Sequence, residues 1–302
     1  MTTYTYEGAL AASEQVAWKV EDLIGGDKRL DFRRPFLPES LARTAEAPGL
    51  SADEKLTLNQ IRGHDYLCTF GLVEEFILPF VLDHVRPMLA GNDHRARAFL
   101  GFAAEEAKHI QLFKSFREEF RAGFGTDCAV IGPADAVAKA VLSHSPLGVA
   151  LMILHIEWMT QRHFTESVRD EAGLDPQIKS LLKHHWMEEA QHAKLDTLMV
   201  EALAEGKSEA EILAAVEDYL AIGGMFDGAF KQQAEMNTDA LERSTGRKLS
   251  AKEREALVAQ QHQALRWTFI GTAMTHPEFL ATLGSLAPAA RARIEAVAPA
   301  FC

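Results

Sequence analysis

Apolar side chains recur three and four positions apart over most of this chain, and no stretch shows the sustained alternation, rich in Val, Ile and Thr, that a sheet requires. The pattern predicts an all-α protein. A helix near 10–24 is followed by a Pro- and Arg-containing loop, RLDFRRPFLPES, that wraps the helices after it. Four longer helices are expected at roughly 57–88, 93–121, 146–171 and 175–205. Ordinary punctuation separates them: GND at 91–93, GFGTDCAVIGPAD at 123–135 and GLDP at 173–176. The connection between the second and third is the longest, carries a short helix at 134–142, and could cross a bundle. Beyond 205, helices near 208–243, 250–272 and 276–298 would pack around the bundle or form a lid, with no chemical signature of their own.

Composition narrows the class of protein. The 302 residues are 47% hydrophobic without a long Pro-, Gly- or Ser-rich spacer, which suits one large domain over 1–302 with its working bundle at about 57–205. A net charge of −12, with 31 scattered basic residues, argues against a nucleic-acid partner. The N-terminus has no basic flank before an unbroken apolar run. The strongest apolar stretch, Leu147 to Leu154, is closed by His155 and Glu157, so neither a signal peptide nor a membrane span is expected. Cys68, Cys128 and Cys302 have no metal-type spacing and leave an odd thiol, as in a reduced cytoplasmic protein.

Chemistry enters with a near-repeat. Glu105-Glu106-Ala107-Lys108-His109 lies in the second long helix and Glu188-Glu189-Ala190-Gln191-His192 in the fourth. Each holds a Glu-x-x-His pair, whose side chains leave a helix about 60° apart and one turn removed, so both reach one metal pair. One such match is expected by chance in a chain with 12 histidines; two, on helices that each have a partner, are not. A di-metal carboxylate bundle needs one Glu from each remaining helix. Glu157 in LMILHIEWMTQ supplies one, and Glu74 or Glu75 in TFGLVEEFILPF the other. Glu157 precedes Glu189 by 32 residues and Glu74 precedes Glu106 by the same interval, which favours Glu74. A helical wheel with Arg62, Asp65, Thr69 and Asp83 on the solvent side agrees, although Pro79 can kink the helix near Glu75. Glu105 and Glu188 read as solvated surface. Apolar neighbours such as Phe99, Phe102, Ile110 and Phe113, and Ile153, Ile156 and Met159 around Glu157, make buried charges there costly without a metal.

Carboxylates with imidazoles suit two iron ions; manganese or a mixed pair is compatible with the same donors. Bridging carboxylates let the ions share dioxygen. His185, four residues before Glu189, faces the same side, giving His185-x-x-x-Glu189-x-x-His192, while His184 leaves the helix about 100° away. With Glu74, Glu106, His109 and Glu157, this run resembles the arylamine N-oxygenases of the p-aminobenzoate N-oxygenase family, over roughly residues 60–205. The resemblance implies a ferritin-like four-helix bundle and a third metal-ligating histidine. It also implies O2 activation through a peroxo intermediate to oxidise a small organic substrate, such as an amine at nitrogen. Substrate identity does not carry over, because the flanks do not match. Ribonucleotide reductase radical subunits place a tyrosine where this chain has Phe113. Acyl-carrier-protein desaturases are similar in spacing, and Thr160 could mimic their hydroxyl, but they do not have the extra histidine; desaturation ranks second. A non-enzymatic iron-storage, ferroxidase or sensing role is the third reading. Phe70, Phe102, Phe113, Trp158 and Trp186 are candidates to shape a substrate pocket. No flavin or Fe–S motif is present, so an external ferredoxin or reductase is the expected electron donor, and a homodimer is compatible with the chain.

Overall fold

The computed structural model describes residues 4–91 and 93–302; residues 1–3 and the middle of the GND joint, Asn92, lie outside the described residues. The first helix, α1 (Tyr6–Ser13), opens on Thr5, whose hydroxyl accepts from the Gly8 amide. The chain then leaves the helical path and makes only a short 3-10 turn at Val20–Asp22, so the helix expected at 10–24 is mostly loop. This loop lays Trp18 flat over His109, ring centroids 6.0 Å apart.

The wrapping segment carries α2 (Glu39–Ala42) and is pinned to α3 (Ala52–Val85). The Asn59 side-chain oxygen accepts from the Phe36 and Leu37 amides at 2.7 and 3.1 Å, and Gln60 donates to Phe32 and Arg34 carbonyls. Gly63 permits this approach, because a Cβ there would stand 2.4 Å from that of Phe36. The helix begins before position 57 because Ser51 and Glu54 form a reciprocal cap. Pro79 is accommodated without ending it.

Next come α4 (Asp93–Phe124), α5 (Ala134–Val141) lying against α3, and α6 (Pro146–Arg162), which ends in a π-helical stretch at His163–Val168. α7 (Pro176–Ala204) is capped by Asp175, whose other carboxylate oxygen accepts from the Asp31 amide at 2.7 Å and so ties the wrapping loop to the bundle. α3 packs on α4 and α6 on α7, with α4 facing α7: an all-α, ferritin-like four-helix bundle. α8 (Glu209–Thr245) lies across α3 and α6, started by the Ser208–Glu211 capping box. α9 (Ala251–Arg266) packs on it and runs through a π-helical stretch, Trp267–Gly271, into α10 (Thr272–Met274). α11 (Pro277–Leu286) and α12 (Pro288–Val297) close the C-terminal side. Among the described residues, no helix is long and apolar enough to cross a membrane.

The assumed solvent face of α3 is wrong except at Asp83. Arg62, Asp65 and Thr69 are buried, because α8 covers them: Arg62 pairs with Asp65 at 3.0 Å, and Asn237 of α8 donates to the same carboxylate. A polar stripe that looks solvated in sequence is here a paired, buried contact between helices.

Candidate metal centre

Four helices deliver the proposed ligands to one place. Glu74 comes from α3, Glu106 and His109 from α4, Glu157 from α6, and His185, Glu189 and His192 from α7; each is at most 2% exposed. Glu189 lies between two groups of donors. One of its oxygens is 3.1 Å from His109 Nδ1 and 2.6 Å from His185 Nε2, and the other is 2.7 Å from His192 Nδ1. Glu74, His109, His185 and Glu189 form one set whose donor atoms lie within 4.8 Å of one another; Glu106, His109, Glu189 and His192 form a second. Glu157 is outside both sets but shares a hydrogen bond with Glu189. Glu74 Oε1 is 3.1 Å from His185 Nε2, whereas Glu75 is partly exposed and pairs with Lys114 at 3.5 Å. The geometry therefore puts Glu74, and not Glu75, among the donors.

Donors crowded in this way leave lone pairs with nothing to bind. Glu74 Oε2, Glu106 Oε2 and Glu157 Oε2 are buried without a hydrogen-bond partner, while Glu106 Oε1 lies 2.9 Å from His192 Nδ1. Burial, followed by repulsion from Glu106 and Glu189, pushes the Glu74 carboxyl well above its ordinary range. Burial and Glu189 do the same to Glu157 and raise Glu106. Burial alone would lower His109, yet Glu189 and Glu188 outweigh it and lift it to about 9. His192 is raised well above its usual value in spite of burial, chiefly by Glu189. Protons stand where cations would satisfy the same carboxylates and imidazoles, so the donor set fits a pair of divalent ions of the iron or manganese type.

Glu105 and Glu188 are not solvated surface. Glu188 is fully buried and accepts from His109 Nε2 at 2.8 Å, while Glu105 accepts from His192 Nε2 at 2.8 Å. The glutamate of each pentapeptide thus braces the histidine of the other, across the α4–α7 contact. Donation from Nε2 turns Nδ1 of each histidine toward Glu189, where it holds a proton in the metal-free chain and would offer its lone pair to a bound ion. The braces are themselves held: Ser13 of α1 donates to Glu105 at 2.5 Å, and Lys108 pairs with Glu188 while sitting 3.9 Å over the Trp18 ring. Glu188→Gln removes a charge and sets an amide against the imidazole N–H. It is expected to weaken metal binding by ~10–100-fold without preventing folding; competition with a chromophoric chelator would measure this, and unchanged affinity would refute the bracing role.

No family model and no curated protein matches this chain. Solved structures do. An R2-like ligand-binding oxidase variant with an aerobically reconstituted Mn/Fe cofactor is 13% identical over 87% of this chain and 93% of that one, with a TM-score of 0.50. Another variant, reconstituted with Fe/Fe, is also 13% identical, over 88% and 94%, with a TM-score of 0.50. This chain shares their fold. At this identity the likeness shows the fold alone, and the chemistry rests on the residues themselves.

Other expected residues are placed less centrally. His184 turns away, its Nδ1 2.7 Å from the Ser180 carbonyl and its ring edge-on to Trp18. The Thr160 hydroxyl donates back to the Ile156 carbonyl at 3.0 Å. Phe70 and Phe113 stand 5.3 and 5.1 Å from the His185 ring, and Phe102 stacks on His192 at 3.9 Å. Trp158 and Trp186 instead stack on His276 and Phe164, so their bulk fills helix contacts away from the donors. Sequence reasoning missed Asp196, which is fully buried with both oxygens unpartnered. Burial raises its carboxyl well above the ordinary range, against the pull of His192. Its one signal is spacing: 185, 189, 192 and 196 are separated by four, three and four residues, one face of α7.

Proposed function

We propose that this chain is an O2-dependent di-iron oxidoreductase that oxidises a small organic substrate, with N-oxygenation of an amine as the preferred reaction. The observation that carries the reading is the convergence of seven buried carboxylate and imidazole side chains, among which Glu74, Glu106 and Glu157 keep carboxylate oxygens that no protein donor satisfies. Ferrous ions held there would supply electrons to dioxygen, and manganese in one position is compatible with the same donors. The Fe/Fe and Mn/Fe cofactors of the R2-like oxidases that share the fold support this reading. A separate ferredoxin or reductase returns the electrons.

The chain's own residues have distinct duties. Glu189 spans the two donor sets, Glu105 and Glu188 fix the imidazole tautomers, and Phe102 and Trp18 cover His192 and His109. His185 favours the N-oxygenase-like reading over the desaturase-like one: its Nε2 stands among the donors, and the Thr160 hydroxyl is taken up by its own helix. His185→Ala should keep most of the iron, because six candidate ligands remain, while changing the decay of the oxygen-dependent absorbance at least ~10-fold, as the removal of a metal-coordinating or metal-tuning group does. His184→Ala should leave that decay unchanged. Stopped-flow mixing of the anaerobic ferrous variants with oxygen decides: equal, small effects would remove the reason for preferring N-oxygenation.

A further inference from the structure

Beside the donors, on the flank covered by α8, lies an apolar cavity. Its walls include Val73 and Ile156, the residues just before Glu74 and Glu157, and Phe70, whose ring also faces His185 at 5.3 Å. Phe226 of α8 and Phe269 of the second π-helical stretch form the far side. Three polar side chains, Thr69, His155 and Tyr219, reach an otherwise apolar wall, and two of them satisfy each other: the Tyr219 hydroxyl donates to His155 Nδ1 at 2.7 Å, and His155 Nε2 donates to the Phe269 carbonyl at 2.9 Å. The cavity volume is about 30 Å³. One water needs roughly 10–15 Å³ and two to four polar partners, so the space suits a diatomic guest and its walls disfavour water.

One residue keeps that space open. Gly223 is buried in the middle of α8, where a glycine weakens a helix, and a Cβ built on it would meet nothing within 4 Å. The glycines of α3 differ: Gly63 and Gly71 lie against Phe36 and Phe113, with built Cβ contacts of 2.4 and 3.2 Å. Close packing therefore explains those two, and the void explains Gly223.

We propose that this cavity is a dioxygen site that feeds the metal centre, and that Gly223 holds it open. Dioxygen is apolar and of the right size, and it would wait one side-chain layer from the donors. The proposal rests on the oxygen-dependent function above, and its test separates the two. Xenon, an apolar probe of similar size, is applied to the metal-free chain and read by 129Xe NMR or in pressurised crystals. One xenon is expected in the cavity of the unaltered chain and none in Gly223→Val, with Gly223→Ala intermediate should the valine disturb folding. In ferrous-loaded protein, the oxygen concentration giving half-maximal reaction rate should rise at least ~5-fold in Gly223→Val, while the limiting rate stays the same. An unaltered chain that takes no xenon overturns the cavity as a gas site. A variant that loses xenon but keeps its oxygen dependence overturns the feeding role. Failure of the unaltered chain to take up iron would overturn the di-iron reading and the feeding role with it, whereas xenon uptake by the metal-free chain would still decide whether the cavity binds gas.

Discussion

Glu189→Ala is expected to abolish paired metal binding, taking uptake from two ions per chain to fewer than one and affinity down by more than the ~10–100-fold typical of an outer partner. Its two oxygens are the only ones, among the described residues, that approach His109, His185 and His192 together, at 3.1, 2.6 and 2.7 Å. The metal-free chain should respond as well. Glu189 is the carboxylate that stays ionised: burial opposes this, but His192, His185 and Glu157 hold it well below the ordinary range. Its removal leaves His192 and His109 without their main counter-charge, so the metal-free variant should melt lower than the parent. Glu106→Ala should do the reverse, because Glu106 is raised by burial and by Glu189, and its loss relieves that repulsion. Elemental analysis after anaerobic loading, paired with calorimetry of the metal-free proteins, reads both effects. Two ions retained by Glu189→Ala would defeat the assignment.

The second large effect is on stability against pH. His109 rises to about 9 in the folded chain and His192 goes well above its usual value, so their contribution is complete below about 6.5 and is lost as pH climbs through the folded values. Glu74, Glu157 and Asp196 are raised well above their ordinary carboxylate values, so the folded chain also holds their protons where the unfolded chain has released them. The sign is the same for both kinds of group: the folded state binds more protons, and stability falls with rising pH. Glu189 acts oppositely, but only at acid pH, below the ordinary carboxylate value. Between pH 6.5 and 9 the metal-free chain should lose on the order of a few kcal/mol, or roughly 5–10 °C in melting temperature. Divalent ions replace those protons and bind more tightly as pH rises, so the gap between loaded and metal-free melting should widen over the same range. A metal-free melting temperature that is flat or rising from pH 6.5 to 9 would contradict these proton assignments.

Much of this arrangement is legible in the chain, and what is not has physical reasons. The two Glu-x-x-His pairs stand out because a helix period of 3.6 puts both members on one face whatever the helix packs against. The helix starts at Ser208 and Ser250 are equally local, since each is a serine answered three residues later by a glutamate; Ser51 and Glu54 carry the same signal, which the expected start at 57 passed over. Glu105 and Glu188 could not be read this way. Each bonds the histidine of the other pentapeptide, and that depends on how α4 and α7 face each other. Arg62 and Asp65 mislead for the same reason, since only the position of α8 makes them interior. Trp18 belongs to a loop whose course depends on the pocket it covers, and Gly223, Tyr219 and Phe269 wall a cavity with no local pattern. Asp196 had a signal in its spacing, but one aspartate on a helix is too common to single out.

The central claim is that these side chains hold two metal ions, and anaerobic titration with ferrous iron, followed by removal of unbound metal and elemental analysis, tests it most directly. About two irons per chain are expected. Retention of a single zinc with no iron, or no bound metal at all, would contradict it.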